Sequence, residues 1–255
     1  MKETRILMGM PVTVEVVDAA MPKAPTTQII DEVFAYFTYV DEKFSTYKTC
    51  SEISLINQHE LTVEAASADM RLIFALAEAT KQATDGYFDI AHNGSYDPSG
   101  IVKGWAIHNA AEILRQYHVE NFYVEAGGDI EAAGKNSQGQ NWRVGIRSPF
   151  NMNEIVKVLT VSNCGVATSG TYIRGQHIYN PKQNDQLMTE IVSLTVIGPN
   201  IYEADRFATA AFAMGKAGIQ FIEQLAGFEG YLIDAAGLAT FTSGFTRYVC
   251  HVYLD

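Results

Sequence analysis

Hydrophobic residues recur every three or four positions in several stretches of the chain, which is the spacing of an amphipathic helix. Between Thr27 and Phe44 the apolar positions follow this period, and Thr26 or Thr27 is a suitable helix cap. A second long helix is predicted from Ser67 to Thr84, with Ser67 as its cap and Asp85–Gly86 at its end. Further helices are predicted over residues 51–57, 101–117, 201–215 and 216–225.

The second half of the chain has the alternation and β-branched content of strands. Two short strands are predicted about a turn at Gly127-Gly128-Asp129, followed by strands within 142–149, 156–162 and 165–173, a buried strand at 190–198 and a closing hairpin over 230–249. Near the N-terminus, Ile6 to Val17 reads as one strand with a bend or edge position at Gly9 and Pro11. This mixed order, without an internal repeat or a linker, predicts an α+β fold with mixed or antiparallel sheets and packed helices.

Composition and charge narrow the class of protein. The 255 residues are 47% hydrophobic and 18% charged, which is typical of a globular domain, and the net charge of −11 argues against a nucleic-acid-binding surface. Cys50, Cys164 and Cys250 are far apart in sequence, so we expect free and mostly buried thiols. No leader and no apolar run of about 18 residues is visible. We expect no membrane span and a cytoplasmic protein as the sequence stands, or an exported or membrane-associated one if a leader was removed.

The helix over 201–215 places Asp205 and Thr209 one turn apart on the same face, with Ala208 beside them. A carboxylate, a hydroxyl and a nearby carbonyl are hard ligands of the kind that Mg²⁺ accepts alongside phosphate oxygens. The alternative is structural: an Asp stabilised by the helix dipole and a Thr packed against the preceding turn.

Three glycine-containing stretches and one histidine are further candidates, although no GxGxxG or GxxxxGK[ST] pattern is present. Residues 97–104 are expected to form a loop before a helix, where free N–H groups and Lys103 suit a phosphate; a capped helix start with a solvated lysine is the alternative. The Gly127-Gly128-Asp129 turn and the hydroxyl-rich stretch 167–171 suit close ligand approach or plain turns. His177 lies between that stretch and the buried strand, and a neutral imidazole there could accept a proton, although a lone histidine is more often a hydrogen-bonded structural residue.

The order and spacing of these short motifs resemble those of the ApbE-type flavin transferases, also named FAD:protein FMN transferases, over nearly the whole chain. The residues that carry the resemblance are Met8-Gly9, Phe44 to Lys48, Ser51-Glu52-Ile53 with Asn57, Gly86 to Asp89, Asp97 to Gly104, Gly127 to Asp129, Trp142 to Pro149, Ala167 to Gly170, His177 to Pro181, Ala204-Asp205, Thr209 and Gly215.

The resemblance implies a single domain over residues 1–255 with an architecture related to the T-fold. This domain could consist of two interleaved subdomains with the FAD site in the cleft between them. It implies an enzyme that takes FAD with Mg²⁺, releases AMP and leaves FMN esterified to a threonine of an acceptor flavoprotein. The implied metal ligands are Gly100 and Ala208 through their carbonyls, together with Asp205 and Thr209. The implied FAD contacts are Met8, Tyr47, Tyr87, Phe88, Asp89, Asp97, Lys103 and Tyr179. His177, with Asp205, is the implied catalytic residue.

Some positions depart from the family pattern. Asn180-Pro181-Lys182 stands where an Asp before the proline is usual, Met10 replaces a Thr, and the loop from Ala91 to Tyr96 looks short. Two alternatives to the transferase therefore stay open: a Mg²⁺-dependent pyrophosphatase that cleaves FAD to FMN and AMP, and a protein that binds FAD without turnover.

Overall fold

The computed structural model describes residues 1–18, 23–171, 178–183 and 186–250, and its centre is an eight-stranded sheet. The helices are α1 (Lys23–Phe44), α2 (Glu52–Asn57), α3 (Ala68–Ala83), α4 (Ser99–Gln116), α5 (Ile201–Ala213) and α6 (Gly218–Gln224). The strands are β1 (Lys2–Leu7), β2 (Met10–Val16), β3 (Ala91–His92), β4 (Ser95–Tyr96), β5 (Phe122–Ala126), β6 (Asp129–Ala133), β7 (Trp142–Arg147), β8 (Ile155–Val161), β9 (Cys164–Gly170), β10 (Tyr179–Asn180), β11 (Gln186–Leu187), β12 (Ile191–Gly198), β13 (Glu229–Asp234) and β14 (Ala239–Phe241).

The strands of the large sheet follow the order β1-β2-β5-β6-β9-β12-β13-β14, and every neighbouring pair is antiparallel. The remaining strands form three two-stranded sheets, of which β7–β8 is the longest. The predicted α+β class with antiparallel sheets and packed helices is therefore confirmed.

The sheet separates two hydrophobic clusters because side chains alternate between its faces. One face packs against the helices, and its cluster includes Val124, Leu194 and the aromatic residues of α1. The other face, which carries Ile130 and Ile197, is covered by the β7–β8 hairpin. The helical face is the one that holds the candidate site.

The N-terminal segment forms a hairpin, so its prediction as one strand is wrong. Leu7 pairs with Met10, which leaves Met8 and Gly9 as a two-residue turn with φ values of 52° and 71°. Hairpin turns of this kind require the left-handed region at both central positions, and the glycine adopts it without strain. A non-glycine residue such as Met8 seldom occupies that region, so the pattern gave no sign of a full reversal.

Some of the predicted helix caps are observed and one is wrong. The helix α1 begins at Lys23, so Thr26 and Thr27 lie inside it and neither is its cap. The Ser67 hydroxyl accepts a hydrogen bond from the Met70 N–H, and α3 begins and ends as predicted. The helix predicted over 101–117 is confirmed, but it begins at Ser99, so the loop expected over residues 97–104 is wrong beyond Pro98. Gly100, Lys103 and Gly104 therefore lie in the first turns of a helix.

Among the described residues, Cys50 is exposed, Cys250 is partly buried and Cys164 is buried, and all three thiols are free. The expectation of free thiols is confirmed, but that of mostly buried thiols holds for Cys164 alone. No helix within the described ranges is long and apolar enough to cross a membrane.

Candidate active site

Helices α4 and α5 touch through glycine, which brings two separate parts of the sequence together. A Cβ added at Gly104 would lie 2.6 Å from the Cβ of Asp205, and one added at Gly100 would lie 3.2 Å from Cγ2 of Thr209. The pairs Gly100–Gly104 and Asp205–Thr209 each span four residues, so the two helices run antiparallel with one turn of each in register. Because Gly100 and Gly104 carry no side chain, Asp205 and Thr209 of α5 can pack directly against the backbone of α4.

The N-terminus of α5 is fixed directly on the sheet. The Asn200 side chain caps the helix by accepting a hydrogen bond of 2.9 Å from the Glu203 N–H. A Cβ at Gly165 of β9 would lie 2.2 Å from the Ile201 nitrogen, so only glycine allows this contact. Asp205 follows one turn later, so its position depends on this contact between Gly165 and the start of α5.

Three of the four predicted metal ligands are brought together by this packing. Gly100 lies against Thr209, and the Asp205 carboxylate lies one turn away, where it accepts a 2.8 Å hydrogen bond from the Gly104 N–H. Ala208 is fully buried on the same helix. The predicted ligand roles themselves are not tested by this arrangement.

A second buried carboxylate, Asp129, completes a charged cluster. Lys103 Nζ lies 2.5 Å from an oxygen of Asp129 and 3.4 Å from an oxygen of Asp205, and both carboxylates are almost completely buried. Asp129 also accepts a 2.9 Å hydrogen bond from the Thr168 N–H. One ammonium therefore faces two carboxylates.

Burial raises the pKa of the Asp205 carboxyl well above its usual range, because a charge removed from water loses its hydration. The Lys103 ammonium opposes this rise, and the Asp129 carboxylate adds to it. A divalent cation held against Asp205 would supply the positive charge that this cluster lacks. Carboxylate, hydroxyl and carbonyl oxygens are the donors that Mg²⁺ prefers, so the residues present fit that ion.

Some of the predicted FAD residues contact one another or the helical core. Met8 and Tyr87 are partly buried and pack against the helical core. The Tyr179 hydroxyl donates a 3.0 Å hydrogen bond to the carbonyl of Asp89, which joins two of the predicted segments. Phe88 is 3% exposed and would lie 3.3 Å from a Cβ at Gly100, so its ring supports the α4 backbone from inside the core.

The other predicted contacts lie at the surface. Tyr47 is 96% exposed, so its ring is available to a ligand. The exposed Asp97 accepts a 2.9 Å hydrogen bond from the Ser99 N–H at the start of α4. The Asp89 carboxylate pairs with Lys81 at 2.6 Å. His177 lies outside the described residues, and its catalytic role stays a prediction.

The family model for ApbE matches residues 8–96 and 91–232. The chain belongs to the ApbE family. A relative from Haemophilus influenzae named FAD:protein FMN transferase is 26% identical over 285 aligned positions, covering 84% of this chain and 82% of that protein. A relative of the same name from Vibrio cholerae is 32% identical over 129 positions, covering 47% of this chain and 39% of its own.

Solved ApbE structures share the fold across almost the whole chain. The flavin transferase ApbE from Vibrio cholerae matches with a TM-score of 0.83 at 22% identity, covering 97% of this chain and 98% of that one. The ApbE protein from Thermotoga maritima matches with a TM-score of 0.83 at 22% identity, covering 98% and 99%. The ApbE-like architecture that the sequence predicted is therefore confirmed.

Asp129 belongs to the charged cluster of this site, but the sequence analysis gave it no role beyond the Gly127-Gly128-Asp129 turn. The signal was present, because a Gly-Gly turn followed by a carboxylate at the start of a strand places that side chain at the edge of the sheet. Its face could not be assigned until α4 was known to cover it. Gly104 was likewise missed, since its role depends on the close approach of α5.

Proposed function

We propose that this chain transfers FMN from FAD to a threonine hydroxyl of an acceptor flavoprotein, with Mg²⁺ bound, and releases AMP. The acceptor oxygen forms a bond to the FMN phosphorus, the bond from that phosphorus to the bridging oxygen breaks, and the hydroxyl proton leaves to a base. The observation that carries the proposal is the meeting of Gly100, Asp205 and Thr209 at the α4–α5 contact in a member of the ApbE family. The names of the curated relatives support the same reaction.

Asp205, Thr209 and the carbonyls of Gly100 and Ala208 would hold the cation. When bound, Mg²⁺ neutralises the diphosphate and the charge that develops on the departing AMP. Asp205 serves this purpose well because it is buried at 2% exposure, where a charge is screened little by water. Gly104 fixes the carboxylate through its N–H, so the ligand is oriented before the cation arrives.

The protein is acidic, with a net charge of −11, and would otherwise repel a dinucleotide. Lys103 reduces this repulsion inside the site, since it neutralises part of the Asp129–Asp205 charge. Tyr47 offers an unpacked ring on which an isoalloxazine or adenine can stack, and such contacts contribute roughly 0.5–1.5 kcal/mol beyond burial of area. Charge neutralisation and ring binding thus come from separate elements.

His177 is proposed as the base that takes the acceptor proton. An imidazole has a pKa near neutrality, so it can accept a proton and release it under the conditions of turnover. His177→Ala that retained wild-type transfer across neutral pH would exclude this role.

The test is incubation of the purified protein with FAD, Mg²⁺ and candidate acceptor subunits, followed by mass spectrometry of each subunit. We expect the mass of one FMN residue on a threonine, release of AMP, and loss of both with EDTA or with Asp205→Asn. FMN and AMP without any adduct would identify a pyrophosphatase, and intact bound FAD after prolonged incubation would identify a binding protein.

A matched pair of variants separates metal binding from ring binding. Asp205→Asn should abolish turnover, whereas Tyr47→Ala should leave folding unchanged because the side chain is exposed. Tyr47→Ala is expected to weaken FAD binding alone, with Mg²⁺ dependence retained.

A further inference from the structure

Glu131 is a buried carboxylate that the proposed reaction does not use. It is 1% exposed and follows Asp129 by two residues on β6, so both side chains point to the helical face of the sheet. Its oxygens lie 3.0 Å from His108 Nδ1 and 2.7 Å from a guanidinium nitrogen of Arg115, both on α4. One oxygen also accepts a 3.2 Å hydrogen bond from the Ile201 N–H.

These contacts join three elements at one point. Ile201 is the first residue of α5, and its N–H lacks a partner within the helix, so the carboxylate both satisfies that donor and complements the helix dipole. His108 and Arg115 fix the same carboxylate to α4. Glu131 of β6 therefore connects α4 to the first residue of α5, Ile201, which lies four residues before Asp205.

We propose that Glu131 is a positioning residue that sets the register of α5 against α4, and thereby the placement of Asp205 and Thr209 as metal ligands. This inference rests on the proposed function for the identity of the ligand. A longitudinal shift of α5 would move Asp205 away from the Gly104 N–H and Thr209 away from Gly100. The contact at Gly165 limits how closely α5 approaches the sheet, whereas the hydrogen bond to Ile201 limits sliding along it.

A metal site at the same place is the competing explanation. His108, Glu112 and Glu131 offer ligand atoms that lie within 4.8 Å of one another. However, Arg115 bonds to both carboxylates, at 2.6 Å to Glu112 and 2.7 Å to Glu131, and its guanidinium already supplies the positive charge. The cluster is therefore an internal ion pair network between helix and strand.

The test is Glu131→Gln, which keeps an oxygen for the Ile201 N–H and removes the charge that holds His108 and Arg115. Glu229→Gln is the matched control. Glu229 is also buried, at 8% exposure, and lies 2.7 Å from Arg247, but it belongs to β13 and touches neither α4 nor α5 through its hydrogen bonds. Both variants lose a buried carboxylate paired with arginine, so both should lower the melting temperature.

Two Mg²⁺ concentrations are the decisive readouts. The first gives half-maximal FAD binding and is measured by flavin fluorescence without acceptor. The second gives half-maximal FAD cleavage. Groups that orient metal ligands typically contribute a factor of roughly 10–100 to metal affinity or activity. We expect Glu131→Gln to raise both Mg²⁺ requirements about tenfold or more by that reasoning, with turnover largely recovered at saturating Mg²⁺. Glu229→Gln should leave both requirements unchanged.

Equal Mg²⁺ requirements in the two variants would overturn the inference while leaving the proposed function intact. A wild-type protein whose FAD binding and cleavage ignore Mg²⁺ would instead overturn the proposed function, and this inference with it. If Glu131→Gln does not fold, His108→Gln replaces it, because His108 is only half-buried and its loss frees one side of the Glu131 carboxylate. A wild-type Mg²⁺ requirement in folded His108→Gln would then count against the inference.

Discussion

Replacing Gly104 by alanine is expected to separate α4 from α5 and to impair Mg²⁺-dependent FAD cleavage. The new Cβ would lie 2.6 Å from the Cβ of Asp205, 2.9 Å from the carbonyl oxygen of Ile201 and 3.0 Å from a carboxylate oxygen of Asp205. Carbon atoms in ordinary contact lie about 3.5 Å apart or more, so the helices must separate locally by about 0.9 Å (3.5 − 2.6).

Two effects of opposite sign decide the stability of this variant. Alanine is favoured over glycine in a helix interior by about 1 kcal/mol. Overpacking a core contact costs about 1–3 kcal/mol, and the neighbours of Gly104 include a backbone carbonyl that cannot rotate away. We therefore expect a net loss of about 0–2 kcal/mol in the free energy of unfolding. Activity should suffer more, since a misplacement of about 1 Å costs a factor of roughly 100.

Urea denaturation and the Mg²⁺ dependence of FAD cleavage test this expectation, with Gly100→Ala as the graded comparison. A Cβ at Gly100 would meet only side-chain atoms, at 3.2 Å from Thr209 and 3.3 Å from Phe88, which relax more readily. The reasoning is refuted if Gly104→Ala is more stable than the wild type and cleaves FAD at the same rate. Helix propensity would then outweigh the contact, and the close approach of the helices would not determine the site.

Other parts of the charged network give further predictions. Lys103→Met leaves two buried carboxylates without their cation and should cost about 3–5 kcal/mol in urea unfolding, partly restored by Mg²⁺; a loss below about 1 kcal/mol would contradict the ion-pair assignment. The carboxylate of Glu131 raises the pKa of His108 above its usual 6.5. The ion pair between them therefore contributes fully to the stability of the fold below pH 6.5, and this contribution is lost as pH rises through the higher pKa of the folded state. The melting temperature measured between pH 5 and 9 should fall less steeply with pH in His108→Asn than in the wild type. The same pH dependence in both proteins would exclude the contribution of His108. Burial raises the pKa of Cys164 to about 11, so peptide mapping at pH 8 should find the exposed Cys50 alkylated and Cys164 alkylated only in denaturant.

The regular elements could be predicted where the local signals agree. The helix capped by Ser67 combines a polar cap, a hydrophobic period and a Gly stop, and its bounds follow from these residues alone. The hairpin about Gly127 and Gly128 follows from a turn that needs positive φ at both positions, with observed values of 60° and 99°. At Met8 the same turn uses a residue that rarely adopts that conformation, so it could not be foreseen.

The candidate site could be predicted only in part, because its ligands come from distant segments. The spacing of Asp205 and Thr209 shows that they share a helical face, but it does not show what that face meets. Gly100 lies in the stretch expected to be a loop, since glycine disfavours helices, and tertiary packing against α5 overrides that preference. Gly104 lies in the predicted helix, but the sequence does not show that α5 contacts it. The pairing of Lys103 with Asp129 depends on β6 crossing beneath α4, which is a property of the topology.

The placement of two acids at alternate positions of β6 also protects the chain against a mispaired sheet. If β6 shifted by one residue, Asp129 and Glu131 would point towards the hydrophobic cluster around Trp142. Ile130 would then face the cationic side chains of α4. Desolvating two unpartnered anions costs several kcal/mol each, so the erroneous alignment is strongly penalised. The two carboxylates of β6 that contact α4 thereby also favour the correct register of the sheet.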